Sequence, residues 1–347
     1  MEKVRLGKAG LMASKLGLGG VPLQRLSQQE AVTLVIRCLD LGINFLDTAA
    51  EYPLGEEPIG KAIRGRRDEI ILSTKARGTR QEVEAKLKES LKKLGVSYID
   101  LYQLHGVNTF EMYRNYLAPE GPLAVMQQAK KAGLIKHIGI TSHSIEVAKE
   151  AVKSSLFETI MFPFNFITSE PADELLPLAT QHDVGFIAMK PLAGGLLDSA
   201  GIAFKYLFQF PDVISIPGIQ KVSEIEEIVE LYQGSWKITA AEQAEMQRLK
   251  KDLNNKLCRR CNMCEPCPEK IPVLQVVDLM PFIINMPPAY AYSDPIADKL
   301  QVVKNCTRCG ECEKNCPYGL PVMDMVRENF KTYQEGRAKY LKQVPAR

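Results

Sequence analysis

From residue 17 to about residue 233, short runs rich in β-branched and aromatic residues alternate eight times with amphipathic stretches, and no other feature constrains this chain so strongly. A strand followed by a helix that returns over it sets the next strand parallel to the first, so repeated units of this kind build a parallel sheet. Eight of them predict an α/β chain folded as a (β/α)8, or TIM, barrel. Strands are expected at Lys15 to Gly19, Asn44 to Asp47, Ile70 to Lys75, Ile99 to His105, His137 to Thr141, Thr159 to Phe164, Gly185 to Lys190 and Val213 to Pro217. Helices are expected at Ser27 to Leu41, Gln81 to Leu94, Leu123 to Ala132, Ser144 to Lys153, Ala172 to Gln181 and Val222 to Tyr232.

The helical spacing is explicit in Val83, Leu87, Leu91 and Leu94, the stripe that a helix buries against a sheet. Gly42, Gly95 and Gly133 follow three of these helices and suit left-handed stops. Ahead of the barrel, Val4 to Gly7 and Leu11 to Ser14 read as a small hairpin turning at Gly7 to Gly10, able to plug the barrel floor. Thr239-Ala-Ala-Glu242 is a capping box opening a helix to about Leu253. The barrel is thus expected over residues 1–254 and a second domain, with a C-terminal tail, over 255–347.

Barrel chemistry sits at the carboxyl ends of the strands. There Asp47 ends the second strand, Lys75 the third and His105 the fourth, while Tyr52 follows Asp47 by five residues on the loop above the rim. A phenol is a poor proton donor near neutrality; an adjacent ammonium stabilises the phenolate, and a carboxylate holds that ammonium in place. The four residues then have distinct tasks: Tyr52 as acid, Lys75 as its tuner, Asp47 as partner of Lys75, and His105 as orienter of a carbonyl oxygen. Taken singly, each also suits a structural ion pair or a hydrogen-bonded core residue; the ordered set is what points to catalysis.

In this set the chain resembles the aldo-keto reductases, whose Asp, Tyr, Lys and His tetrad matches Asp47, Tyr52, Lys75 and His105. The resemblance runs from about residue 3 to residue 253. It takes in Leu16-Gly-Leu-Gly-Gly20, Ile138-Gly-Ile-Thr-Ser142, the sixth strand ending at Asn165, Pro191-Leu-Ala-Gly-Gly-Leu196 and Ile216-Pro-Gly218. It implies hydride transfer between NADPH or NADH and a small carbonyl or alcohol, with Tyr52 protonating the nascent alkoxide. It also implies cofactor contacts from Thr141, Ser142, Asn165, Lys190, Leu192, Gly194, Pro217 and Gly218. The cofactor side departs from the family pattern: Thr141 and Ser142 stand for a Ser and Asn pair, Met161 aligns near the carboxamide-binding Gln, and Met189 aligns with a stacking aromatic. Gly218 and Glu224 align with the cations that grip a 2′-phosphate. Lys190, Lys221 or backbone amides around Gly194 and Gly218 remain available for phosphate, and an FMN phosphate could use the same place.

Eight of the nine cysteines lie between Cys258 and Cys316. One run is Cys258, Cys261, Cys264 and Cys267 followed by Pro268; the other is Cys306, Cys309, Cys312 and Cys316 followed by Pro317. The second run has the bacterial ferredoxin spacing, in which three thiolates serve one cluster and the fourth serves the other. That logic assigns Cys258, Cys261, Cys264 and Cys316 to one 4Fe-4S cluster and Cys306, Cys309, Cys312 and Cys267 to a second. Zinc is the alternative, but structural zinc sites normally use paired cysteines. Between the runs, Val273 to Met280 reads as a helix and Pro281 to Pro295 as a proline-rich loop. The whole resembles the small, mainly α-helical ferredoxin-like domains attached to larger oxidoreductases, and the combination resembles a subgroup of aldo-keto reductase-like proteins carrying such a domain. Cys38 stands apart on the first helix as a buried small hydrophobe.

Net charge is +3 and no long basic run occurs, so neither nucleic acid nor an anionic membrane is an expected partner. No stretch approaches the roughly 20 apolar residues of a span, and the first residues lack a signal-peptide core, so a cytoplasmic protein is expected. Three readings of the two halves follow. The barrel is a NAD(P)H carbonyl reductase with structural or redox-sensing clusters; or the clusters feed electrons to a flavin or directly to substrate, with a redox partner protein as donor; or the chain is an electron-transfer or sensor protein whose barrel site is vestigial. The first is favoured by the completeness of the tetrad.

Overall fold

The computed structural model describes residues 1–343, which form two compact units, Met1–Gln247 and the residues from Arg248 onward. The division falls inside the helix Ala240–Leu253 rather than after it.

The first unit opens with an antiparallel hairpin, β1 (Lys3–Leu6) and β2 (Leu11–Ser14), in the register Lys3↔Ser14 to Leu6↔Leu11. Eight parallel strands follow: β3 (Gly17–Gly19), β4 (Phe45–Asp47), β5 (Ile71–Ala76), β6 (Ile99–Leu104), β7 (Ile135–Thr141), β8 (Thr159–Pro163), β9 (Gly185–Met189) and β10 (Val213–Ile216). They pair in chain order, and bridges Leu16↔Ser215 and Gly19↔Gly218 close the last strand onto the first. The expected barrel is therefore present, and helices accompany the strands.

Alternation along each strand divides the apolar side chains into two cores. Leu46, Leu72, Tyr102, Leu104, Ile138 and Phe186 pack outward on the helices. Phe45, Ile71, Leu101, Met161, Ile187 and Ile214 point into the barrel, where Val4, Leu6 and Ala13 of the hairpin join them. The hairpin thus plugs the floor. It does so closely: at Gly7 (φ +47°) a Cβ would lie 2.3 Å from the Gly185 amide nitrogen, and Lys8 N–H donates to the Asp183 carbonyl at 2.6 Å. Only glycine tolerates both that backbone angle and that approach.

Local signals account for the helix boundaries. Ser27 with Glu30, Thr79 with Glu82 and Thr239 with Glu242 each exchange capping-box hydrogen bonds. Gly42, Gly95 and Gly133 adopt φ of +82°, +65° and +75°. The segment expected as one helix from Ala172 to Gln181 is two, Pro171–Glu174 and Leu176–Gln181, because Pro177 has no amide to continue the first. Helices Glu56–Ala62, Phe110–Leu117 and Ala200–Phe208 are present in addition to those read from the periodicity.

In the second unit, the expected proline-rich loop is helical over most of its length. Val273–Val277, Leu279–Asn285, Pro288–Ala291 and Asp294–Leu300 are successive short helices. Pro281, Pro288 and Pro295 fall in first turns, where no intrahelical amide donor is required, so proline is compatible with these helices instead of preventing them. The expected C-terminal tail contains a 22-residue helix, Val322–Gln343. Its Val322, Val326, Phe330 and Tyr333 pack with Val276, Leu279, Leu300 and Leu320 into the unit's own core. No described helix is long and apolar enough to cross a membrane.

Candidate active site

The barrel interior changes character from floor to mouth. On β4 the inward side chains run from Phe45 to Asp47; on β5 from Ile71 to Ser73 and Lys75; on β6 from Leu101 to Gln103, with His105 just beyond the strand. Asp47 pairs in register with Ser73, and Lys75 with Gln103, so these polar groups meet at three adjoining strand ends.

The Lys75 ammonium forms an ion pair with Asp47 Oδ2 and donates at 2.8 Å to the carbonyl oxygen of Thr48. Asp47 Oδ1 accepts from Ser73 Oγ at 2.9 Å and from Gln103 Nε2 at 3.3 Å; Gln103 Nε2 also lies 2.9 Å from Ser73 Oγ. Both charged side chains are only 4% exposed. Burial acts most strongly against the Lys75 charge, but the Asp47 carboxylate, Tyr52 and Glu51 together outweigh it and hold the ammonium above its ordinary range.

Tyr52 occupies the turn after β4. Its amide donates to Ala49 O, its carbonyl accepts from Gly55 N, and Ala50 N donates to Lys75 O, which ties the loop to β5. The Lys75 ammonium is 5.5 Å from the centre of the Tyr52 ring. The Tyr52 and His105 rings stand perpendicular with centres 6.1 Å apart. All four tetrad side chains are therefore brought together.

Glu51, not singled out by the sequence reading, completes the mouth. Its Oε2 lies 2.6 Å from His105 Nδ1, while its Oε1 accepts from Lys86 Nζ at 2.9 Å and from the Arg77 amide at 3.1 Å. Burial alone would raise its carboxyl, but these partners overcome it and depress the group to about 2. Burial, followed by the Lys75 and Arg77 charges, lowers His105 despite the opposing effect of Glu51, so its neutral form is favoured. Alternation could have found Ser73 and Gln103, each two residues before a tetrad member on the same strand face. Glu51 lies in an irregular loop that carries no such period.

The residues expected to touch cofactor sit at or just after the ends of β7 to β10, and several are engaged within the protein. Thr141 Oγ1 accepts from Gly106 N at 2.7 Å, and Ser142 Oγ donates to Val107 O at 2.7 Å. Asn165 Nδ2 donates to Lys190 O, and its Oδ1 accepts from the Ile167 and Thr168 amides. Lys190, Ala193, Gly194 and Gly195 all have positive φ, which winds the loop through Leu192 tightly. The Pro217 carbonyl accepts from Gly19 N at 2.8 Å, and a Cβ on Gly218 would press Pro22 at 2.8 Å, so both serve barrel closure. Met161 is fully buried inside the barrel, and Glu224 accepts from the Gln220 and Lys221 amides at the start of a helix.

Other residues have packing roles. Tyr113 and Tyr116 are buried on the helix Phe110–Leu117, and Tyr116 OH accepts from Gly78 N. His137 pairs with Glu158, and burial drives the Cys38 thiol up to about 12.

In the second unit the clustered cysteines line two cavities. Cys258, Cys261, Cys264 and Cys316 line one of them together with Leu274, Val277, Leu320 and Val322. Cys267, Cys306, Cys309 and Cys312 line the other with Ile271, Val273, Met323 and Val326. Among the described residues no three His, Cys, Asp or Glu side chains converge as one metal ion would require. The thiols stand around a space instead of meeting at a point, and all eight remain free of disulfides.

Fold and site together define a TIM-barrel oxidoreductase with a Tyr–Lys–Asp–His constellation at the mouth. The chain belongs to the aldo/keto reductase family, whose model matches residues 15–202. It is 36% identical over 213 residues to the uncharacterized oxidoreductase YqkF of Bacillus subtilis, spanning 57% of this chain and 67% of that one. Aldo-keto reductase YhdN of the same organism is 30% identical over 234 residues, spanning 61% and 68%. A solved aldo-keto reductase from Bacillus halodurans, in its holo form, superposes with a TM-score of 0.63 at 28% identity, covering 72% of this chain and 96% of its own.

Proposed function

We propose that the barrel catalyses NAD(P)H-dependent reduction of a small carbonyl compound, or its reverse, and that the cysteine-rich unit binds two 4Fe-4S clusters. The buried Asp47–Lys75 pair, set beside Tyr52 and His105 at three adjoining strand ends, carries the first part of the reading. A bound nicotinamide dinucleotide would supply the hydride. Tyr52 gives its hydroxyl proton to the carbonyl oxygen, so that C=O becomes CH–OH and a phenolate remains until water returns the proton. Lys75 stabilises that phenolate by its charge, and Asp47 keeps Lys75 protonated and fixed within a wall that admits little water. His105 borders the reacting oxygen. Thr141, Ser142, Asn165, Lys190, Leu192, Gly194, Pro217 and Gly218 form the proposed cofactor side, where backbone groups of the tightly wound loop contribute alongside side chains.

For the second part, the supporting observation is that each cavity gathers three thiols of one cysteine run and one of the other. A cubane needs its four ligands around a volume with an apolar lining, and both cavities have that character. Cys258, Cys261, Cys264 and Cys316 would hold one cluster, and Cys306, Cys309, Cys312 and Cys267 the other. Such groups exchange single electrons, whereas hydride carries two, so the clusters have a structural or sensing role in this reading. A redox partner protein and a bound FMN belong to the alternative in which the clusters feed the barrel.

The test is Tyr52→Phe assayed for NAD(P)H oxidation against a panel of aldehydes and ketones. Loss of at least a hundredfold in kcat/KM with unchanged dinucleotide binding is expected; retained turnover would sink the assignment. Cofactor analysis of anaerobically purified protein separates nicotinamide from flavin.

A further inference from the structure

The family resemblance gives His105 the task of orienting a carbonyl oxygen, which a neutral imidazole does by donating a hydrogen. Which nitrogen carries that hydrogen is set by the partner of the other one. Here the partner is Glu51, and a carboxylate can only accept. His105 Nδ1 lies 2.6 Å from Glu51 Oε2, and Glu51 is itself anchored from the opposite side by Lys86 Nζ and the Arg77 amide on Oε1. Lys86 is held in turn by the Arg77 carbonyl at 2.7 Å.

We propose that Glu51 is a positioning residue that locks His105 in the Nδ1–H tautomer, so that Nε2 is a hydrogen-bond acceptor. The charged groups around the ring agree with this assignment. Glu51 is the anion; Lys75 and Arg77 both oppose a second proton on the imidazole, and Tyr52 stands across its edge. With Nδ1–H committed, Nε2 can receive an O–H but cannot donate to a bare carbonyl oxygen. Tyr52 is then the sole tetrad donor toward a carbonyl substrate, and His105 instead recognises the hydroxyl of the alcohol form. Only that last consequence rests on the carbonyl-reductase reading; the tautomer does not.

Glu51→Gln makes a sharp test because its outcome is dictated by the surroundings. Lys86 Nζ and the Arg77 N–H both need an acceptor at the Oε1 position, so the amide oxygen stays there and the NH2 group faces His105. Nδ1 must then accept, and the proton moves to Nε2. Long-range 1H–15N correlation spectra of histidine-labelled protein report this directly, with the His105 signals assigned by their loss in His105→Asn. The wild type should show a protonated Nδ1 and an unprotonated Nε2 at pH 7, and Glu51→Gln the reverse pattern. Glu51→Ala, as a second variant, should lose the wild-type preference. A wild-type His105 protonated on Nε2, alone or on both nitrogens, overturns the proposal, as does an unchanged tautomer in folded Glu51→Gln. The spectra require neither cofactor nor turnover, so failure of the Tyr52→Phe experiment and failure of this one are separable.

Discussion

Removing the Asp47 carboxylate should destabilise the barrel mainly by stranding the Lys75 charge. Asp47→Ala leaves the ammonium with the Thr48 carbonyl and also deprives Ser73 Oγ and Gln103 Nε2 of their shared acceptor, all within a buried wall. Breaking a buried pair from one side costs about 3–5 kcal/mol. Lysine can escape by losing its proton, and from an ordinary value of 10.5 that costs about 1.4 kcal/mol per unit, or ~5 kcal/mol at pH 7, which sets a ceiling. Lys75→Met should cost less, about 1–3 kcal/mol, because Asp47 keeps two neutral donors. The double variant removes both charges and should fall at least 2 kcal/mol short of the sum. Trp236 is the only tryptophan and packs on Phe208 and Tyr232 within the first unit, so its fluorescence during urea unfolding reports that unit. A loss below about 1 kcal/mol for Asp47→Ala, or additive single effects, would refute the argument.

Two further outcomes follow from the geometry. Glu51 ordinarily titrates near 4.5 and is held at about 2, so the stability it contributes is fully present above 4.5 and is lost as pH falls through about 2. The wild type should therefore lose on the order of 3 kcal/mol across that window relative to Glu51→Gln, measured by urea unfolding at each pH; parallel curves would contradict it. In the cysteine-rich unit, Cys316→Ser should halve the iron and acid-labile sulfide carried by anaerobically purified protein while leaving the cluster proposed at Cys267, Cys306, Cys309 and Cys312. Unchanged iron, or zinc in place of iron, would contradict the pairing.

Whatever depends on repetition and spacing was legible in the chain alone. Eight βα units gave a closed barrel because period-two and period-3.6 patterns each fix which face is buried, whatever lies elsewhere in the chain. The same period placed Asp47, Lys75 and His105 at strand ends, and capping boxes and left-handed glycines set helix limits. Meetings between residues far apart in the chain became visible only in the folded protein. Glu51 sits in a loop without period, and its approach to His105, 54 positions away, required β4 and β6 to flank β5 in the closed sheet. The helices around Pro281, Pro288 and Pro295 were likewise hidden, because a proline in a first turn and a proline in a loop look alike until packing supplies the rest of the helix. Spacing grouped the cysteines in sequence; only the folded second unit, with its own core of Val276, Leu279, Val326 and Phe330, gave their two sets a space to surround.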